Sequence, residues 1–224
     1  MHAGSLKAVL FDFDGTLTPS LPLWLRAYHL ALGTFDVKLS DAEVLRRCFF
    51  RDWADVAKDL GVCGESELKS AVDLGLEQAF ADAVLFPRVR ELIGQCRERG
   101  LKLALVTSSP RSLIANVAVR LDVHHLFDFV ICGDEVANYK PHPEPVLRSL
   151  SALACTPADA IMIGDSTADI LAGRAAGTRT ALFMPDDHHQ FHDGERLRAS
   201  NPDYIFKDHA ELSMLLGLSP ARSS

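Results

Sequence analysis

Four aspartates, a pair of hydroxyls and one lysine carry the chemistry written into this chain. Asp12 and Asp14 close the apolar run Leu6-Lys7-Ala8-Val9-Leu10-Phe11, and Gly15 follows them at once. In extended chain, residues two apart point the same way, so both carboxylates converge at the tip of a strand. Gly15 gives the turn a freedom that a Cβ denies. Two acids at a buried strand end repel each other unless a cation or a substrate lies between them. By itself Asp14-Gly15 is equally an ordinary acidic turn. Thr107 and Ser108 end a second apolar run, Lys140 lies on a loop, and Asp165 ends a third run with Asp169 four residues on. That last spacing places both acids on one face of a starting helix. Facing one crevice, such a set binds a hard divalent cation through oxygen, with magnesium favoured because phosphate and water complete its octahedron. Lys140, the hydroxyls and helix N-terminal amides then hold phosphate oxygens.

These residues need a scaffold that gathers strand tips, and the pattern of the chain supplies one. Short apolar runs at Leu101–Val106, Phe127–Cys132, Ala160–Ile163, Thr180–Met184 and Tyr204–Phe206 join the opening run as strands. Helical stretches lie between them at Arg88–Arg99, Ser112–Leu121, Pro143–Ala154, Ser166–Ala176 and His209–Leu216. Such alternation predicts an α/β fold, a Rossmann-like parallel sheet with helices on both faces. Ligands bind beyond the carboxyl ends of such strands, where the polar residues fall. The stretch from Thr18 to Phe86 differs: helices are expected at Leu21–Leu32, Asp41–Phe50, Asp52–Leu60 and Ser66–Ala83, and no strand. Ser40 and Glu43 form a capping box for the second of these. Pro19, Pro22 and Pro87 stiffen its borders. The expected division is therefore a core of residues 1–17 and 87–224 and a helical insert of residues 18–86.

With 224 residues and 48% hydrophobic content, the chain has ample core for a domain plus an insert. Its net charge of −7, with acids and bases mixed, gives no basic face for nucleic acid or an anionic membrane. No apolar run has spanning length and no signal-peptide pattern opens the chain, which reads as cytoplasmic. Cys48, Cys63, Cys96, Cys132 and Cys155 are scattered and never spaced as a CxxC pair, so reduced thiols are expected. Residues Ser219 to Ser224 are expected to form a disordered tail. A monomer or a homodimer is expected.

The order Asp12-x-Asp14-Gly15-Thr16, then Thr107, then Lys140-Pro141, then Gly164-Asp165-Ser166-x-x-Asp169 resembles the haloacid dehalogenase superfamily of aspartate-nucleophile phosphotransferases. The insert between the first two motifs resembles a C1 helical cap. The resemblance implies that Asp12 is the nucleophile and that Asp14 protonates the leaving alcohol and then deprotonates water. It implies magnesium as cofactor, held by Asp12, the Asp14 carbonyl and Asp165, with Asp169 a ligand through water or an acid behind them. Thr107 and the Ser108 amide would position phosphate, and Lys140 would neutralise charge between the nucleophile and the phosphoryl group. The acid at Asp14 points to the phosphatase branch acting on a small phosphorylated metabolite. The alternatives are a β-phosphoglucomutase-like isomerase, which resembles this chain at Thr107-Ser108-Ser109 but has a histidine where Trp24 stands, and an inert binding protein. A helical cap implies opening and closure at the proline junctions.

Two weaker signals lie outside these motifs. Arg51, beside Trp53, reads either as a solvated helix-end charge or as a contact for an anionic substrate group. His188, His189 and His192 read as a solvent-exposed acidic loop in preference to a transition-metal site.

Overall fold

Short runs rich in Val, Ile, Leu and Phe favour strands, and six such runs pair in the structure. The computed structural model describes residues 6–62 and 64–218; the expected tail at Ser219–Ser224 and the thiol of Cys63 lie outside the described residues. The strands are β1 (Ala8–Phe11), β2 (Lys102–Val106), β3 (Phe129–Ile131), β4 (Ala160–Gly164), β5 (Arg179–Phe183) and β6 (Tyr204–Phe206). All neighbours are parallel and the order is β3-β2-β1-β4-β5-β6. Strand order reverses beside β1, the point where parallel sheets open a crevice beyond their carboxyl ends. Phe11 is level with Leu105 on one side and Ile163 on the other. Asp12 therefore leaves the sheet between the tips of β2 and β4, with Thr107 and Asp165 one residue further out.

The described chain divides into two units: residues up to Thr18 together with those from Val84 onward, and Pro19–Ala83. The first unit holds the sheet and α5 (Val89–Glu98), α6 (Arg111–Arg120), α7 (Glu144–Ala152), α8 (Thr167–Ala176), α9 (Gly194–Ala199) and α10 (His209–Leu215), numbered after the four helices of the second unit. On one face Leu10, Val106, Ile131 and Met162 pack with Val146 and Leu150 of α7 and Ala172 of α8. Burying these chains supplies about 25 cal/mol per Å² of apolar surface, the main term holding the sheet to its helices.

The second unit contains α1 (Leu21–Gly33), α2 (Asp41–Arg47), α3 (Trp53–Leu60) and α4 (Glu65–Ala79), with a 3-10 turn at Phe80–Asp82. Pro22 sits in the first turn of α1, where its missing N–H leaves no helical bond unmade. The Ser40–Glu43 capping box forms, with the Ser40 amide donating to Glu43 Oε2 at 2.8 Å. Tyr28 anchors the unit's interior, its ring 5.5 Å from Phe49 and 6.0 Å from Trp53. Two expectations need correction. The helix expected to reach Phe50 stops at Arg47, because Phe50 takes a left-handed φ of 54°. The stretch between β5 and β6, where no helix is expected, contains α9, capped by Asp193 accepting from the Glu195 and Arg196 amides.

Cys48, Cys96, Cys132 and Cys155 are free thiols, the first three buried. Burial pushes Cys96 and Cys132 up to about 12, so both remain protonated core atoms. Among the described residues, no helix is long and apolar enough to cross a membrane.

Candidate active site

The tips of β1, β2 and β4 deliver their polar residues to one place. The Asp12 amide still donates to Ile163 at 2.9 Å, so its side chain is aimed by the sheet itself. Lys140 arrives from the loop between β3 and α7 and joins the set. Its ammonium donates to Asp12 Oδ1 at 2.8 Å, Asp169 Oδ1 at 2.6 Å and the Val106 carbonyl at 2.8 Å. All three protons are engaged, and the Lys140 side chain is 4% exposed. Asp169, fully buried, is fixed from behind: its Oδ2 accepts from the Ser166 amide at 3.1 Å and the Ser166 hydroxyl at 2.6 Å. This is the capping box of α8, so the helix N-terminus and the site are built by the same residues.

Asp12, Asp165 and Asp169 are buried, and one oxygen of each lies within 4.8 Å of the others. Asp12 and Asp169 share a single ammonium, and Asp165 adds a third buried carboxylate beside them. Burial, then the carboxylate of Asp169, pushes the Asp12 carboxyl well above its usual range despite the opposing pull of Lys140. Burial works to lower the Lys140 value, but Asp12 and Asp169 outweigh it and hold the ammonium charged. Negative charge in excess, on hard oxygen donors, fits a divalent cation such as magnesium. The residues present therefore suit the ion that the sequence resemblance implies.

Close approach at the tips depends on Gly15. It takes φ +71°, and a Cβ there would lie 2.0 Å from Asp165 Oδ2. No other residue tolerates both the backbone and the contact. Asp14 is half-buried, and its Oδ2 accepts from the Ser109 hydroxyl at 2.6 Å. Thr107 is buried with its hydroxyl accepting from the Ser109 amide at 3.0 Å, whereas Ser108 is exposed. The sequence assigns Ser109 no role of its own. Its partner Asp14 is 95 residues away, a contact that only the fold creates.

The histidine stretch requires the main correction. His188 is 5% exposed, set among Phe86 and Phe183 with ring centroids at 6.1 and 5.5 Å. His192 Nε2 lies 3.1 Å from Asp165 Oδ2. The physical reason is a 3-10 turn at Asp186–Gln190 extended by the His192 amide donating to His188, which folds both rings inward. Asp186 and His189 stay exposed, Asp186 pairing with Lys207 at 2.6 Å. Another residue with no expected role, His209, is buried against Phe183 and donates from Nε2 to the Thr16 carbonyl at 3.0 Å. Burial lowers its pKa to about 4, so it is neutral and braces the turn that carries Asp14 and Gly15.

Arg51 belongs to the helical unit and is engaged there. Its guanidinium donates to the Arg47 carbonyl at 2.9 Å and to Asp59 Oδ2 at 3.2 Å, while Arg47 also donates to Asp59 at 3.0 Å.

Comparison with known proteins adds independent findings. The family described as haloacid dehalogenase-like hydrolase matches residues 9–183. The phosphoglycolate phosphatase of Salmonella typhi is 30% identical over 241 residues, covering 96% of this chain and 94% of that protein. The phosphoglycolate phosphatase of Escherichia coli O157:H7 is 28% identical, covering 95% and 93%. Among solved structures, CbbY from Rhodobacter sphaeroides in complex with phosphate shares the fold, with TM-score 0.79 and 22% identity across 92% of this chain and 96% of that one.

Proposed function

The chain belongs to the haloacid dehalogenase-like hydrolases and is a phosphatase of their C1-capped branch; from that premise we propose that it is a magnesium-dependent phosphomonoesterase whose nucleophile is Asp12. The observation that carries this reading is the ammonium of Lys140, which ties Asp12 to Asp169 beside Asp165. A carboxylate nucleophile attacking an anionic phosphoryl group must overcome like-charge repulsion, and a buried cation bonded to its oxygen lowers that barrier.

In the first step an Asp12 oxygen forms a bond to phosphorus as the ester P–O bond breaks, leaving an aspartyl-phosphate. Asp14 gives its proton to the departing alkoxide. In the second step Asp14 takes a proton from water, the water oxygen bonds to phosphorus, and the Asp12–phosphorus bond breaks to release inorganic phosphate. The Ser109 hydroxyl, 2.6 Å from Asp14, holds that carboxyl toward the leaving group. Thr107 and the Ser108 amide orient the phosphoryl oxygens. Magnesium, held by Asp12, the Asp14 carbonyl and Asp165 with Asp169 behind them, would supply positive charge against those oxygens.

Small phosphorylated metabolites are the substrate class, since the relatives at about this length are phosphoglycolate phosphatases. Phosphoglycolate is the first ester to test. The experiment is phosphate release from a panel of small monoesters, with magnesium or with chelator, for wild type and Asp12→Asn. Magnesium-dependent release that vanishes in Asp12→Asn is expected. Isomerisation of a sugar phosphate primed by a bisphosphate, without net release of phosphate, would overturn the reading.

A further inference from the structure

We propose that Asp165, His188 and His192 form a second metal site, of the zinc class, joined to the aspartate centre through the shared carboxylate of Asp165. One ligand atom from each of the three residues lies within 4.8 Å of the others. Asp165 Oδ2 is 3.1 Å from His192 Nε2 and 3.7 Å from His188 Nδ1. Ligands bound to one tetrahedral ion at about 2.0–2.1 Å stand about 3.3–3.4 Å apart. The two measured separations bracket that edge.

A second observation points to a ligand independently of the spacing. His188 is 5% exposed, and its Nδ1 is buried with no hydrogen-bond partner. At 3.7 Å, Asp165 is too far to serve as one. An imidazole nitrogen buried without a partner is costly, yet the ring packs against the touching pair Phe86 and Phe183 with this nitrogen 3.7 Å from Asp165 Oδ2. A metal ion gives the atom a bond without moving the ring. The helical turn at His188–His192 supplies both rings from one side, since the His192 amide donates to the His188 carbonyl at 3.0 Å.

The donor set selects the class of ion. Two imidazoles and one carboxylate suit zinc, cobalt, nickel or copper, whereas magnesium keeps to oxygen. The site therefore differs in chemistry from Asp12, Asp165 and Asp169 while sharing one residue with them. Its occupation is measurable without turnover and stands whether or not the phosphatase reading holds.

The test uses the whole chain, stripped of metal and dialysed against zinc with magnesium in large excess to fill the oxygen-only centre. One equivalent of zinc should be retained by wild type and by Asp12→Asn, with affinity at least tenfold lower in His188→Gln and in His192→Gln. Because His188→Gln disturbs a buried ring, cobalt bound to wild type is read separately by X-ray absorption, which should report imidazole nitrogens. Zinc displaced by magnesium, retention unchanged in His192→Gln, or a cobalt shell of oxygen alone would each overturn the proposal.

Discussion

Lowering the pH should unfold this protein partly through one buried histidine that touches no substrate. His209 donates to the Thr16 carbonyl and lies 4.8 Å from the Phe183 ring centroid, 3% exposed. Burial holds its pKa at about 4 in the folded chain, against 6.5 for an ordinary imidazole. A histidine whose folded value is depressed takes up its proton more readily when unfolded. Its contribution is therefore complete above pH 6.5, falls as the pH drops toward 4, and levels off below that. From the two values, the loss relative to pH 7 is about 2 kcal/mol at pH 5 and about 3 kcal/mol at pH 4. Other titrating groups also respond to pH, so the quantity to measure is a difference. Urea unfolding of wild type and His209→Gln at pH 7, 5 and 4 cancels the shared groups, and glutamine keeps a donor for Thr16. Wild type should lose stability relative to the variant by the stated amounts as the pH falls. Parallel pH dependence of the two proteins would refute the reasoning.

Other perturbations have equally definite outcomes. Lys140→Met leaves Asp12 and Asp169 buried without their ammonium and should cost about 3–5 kcal/mol of stability in chelator, partly restored by magnesium, as urea unfolding would show. Ser109→Ala frees the Asp14 carboxyl and should lower kcat about tenfold or more for alkyl phosphates but much less for aryl phosphates, whose departure needs little proton donation. Equal losses for both ester types would show that Ser109 does not act through Asp14. Gly15→Ala forces a Cβ against Asp165 in a left-handed turn and should lower Tm and weaken magnesium binding together, read by thermal melts across a magnesium titration.

What was legible in the chain follows a physical division. Strand bodies at Ala8–Phe11 and Ala160–Gly164 are local apolar runs, and the acids at their tips stand directly beside them in sequence. Parallel pairing then gathers those tips by rule, which is why the crevice is legible in the sequence. The inward turn of His188 and His192 was not readable, because Phe86, which packs on His188, and Asp165, beside His192, come from distant parts of the chain. The i, i+4 spacing of the two rings was the available signal, but the neighbouring acids made the stretch look solvated. α9 spans only six residues, too short to show a helical period, although Asp193 marked its start. The early end of α2 rests on the left-handed φ of Phe50, a tertiary choice that propensity does not encode.

The most direct test of Asp12 as nucleophile is to trap the phosphoryl group on it. Asp14→Asn should still be phosphorylated by an aryl phosphate but stall before hydrolysis, because no base activates the water. Acid-quenched Asp14→Asn, digested and analysed by mass spectrometry, should carry one phosphoryl group on Asp12, removable by hydroxylamine. The Asp12→Asn protein should carry none. Phosphate release by wild type with no phosphorylated Asp12 in quenched Asp14→Asn, or with the group on another residue, would contradict the mechanism.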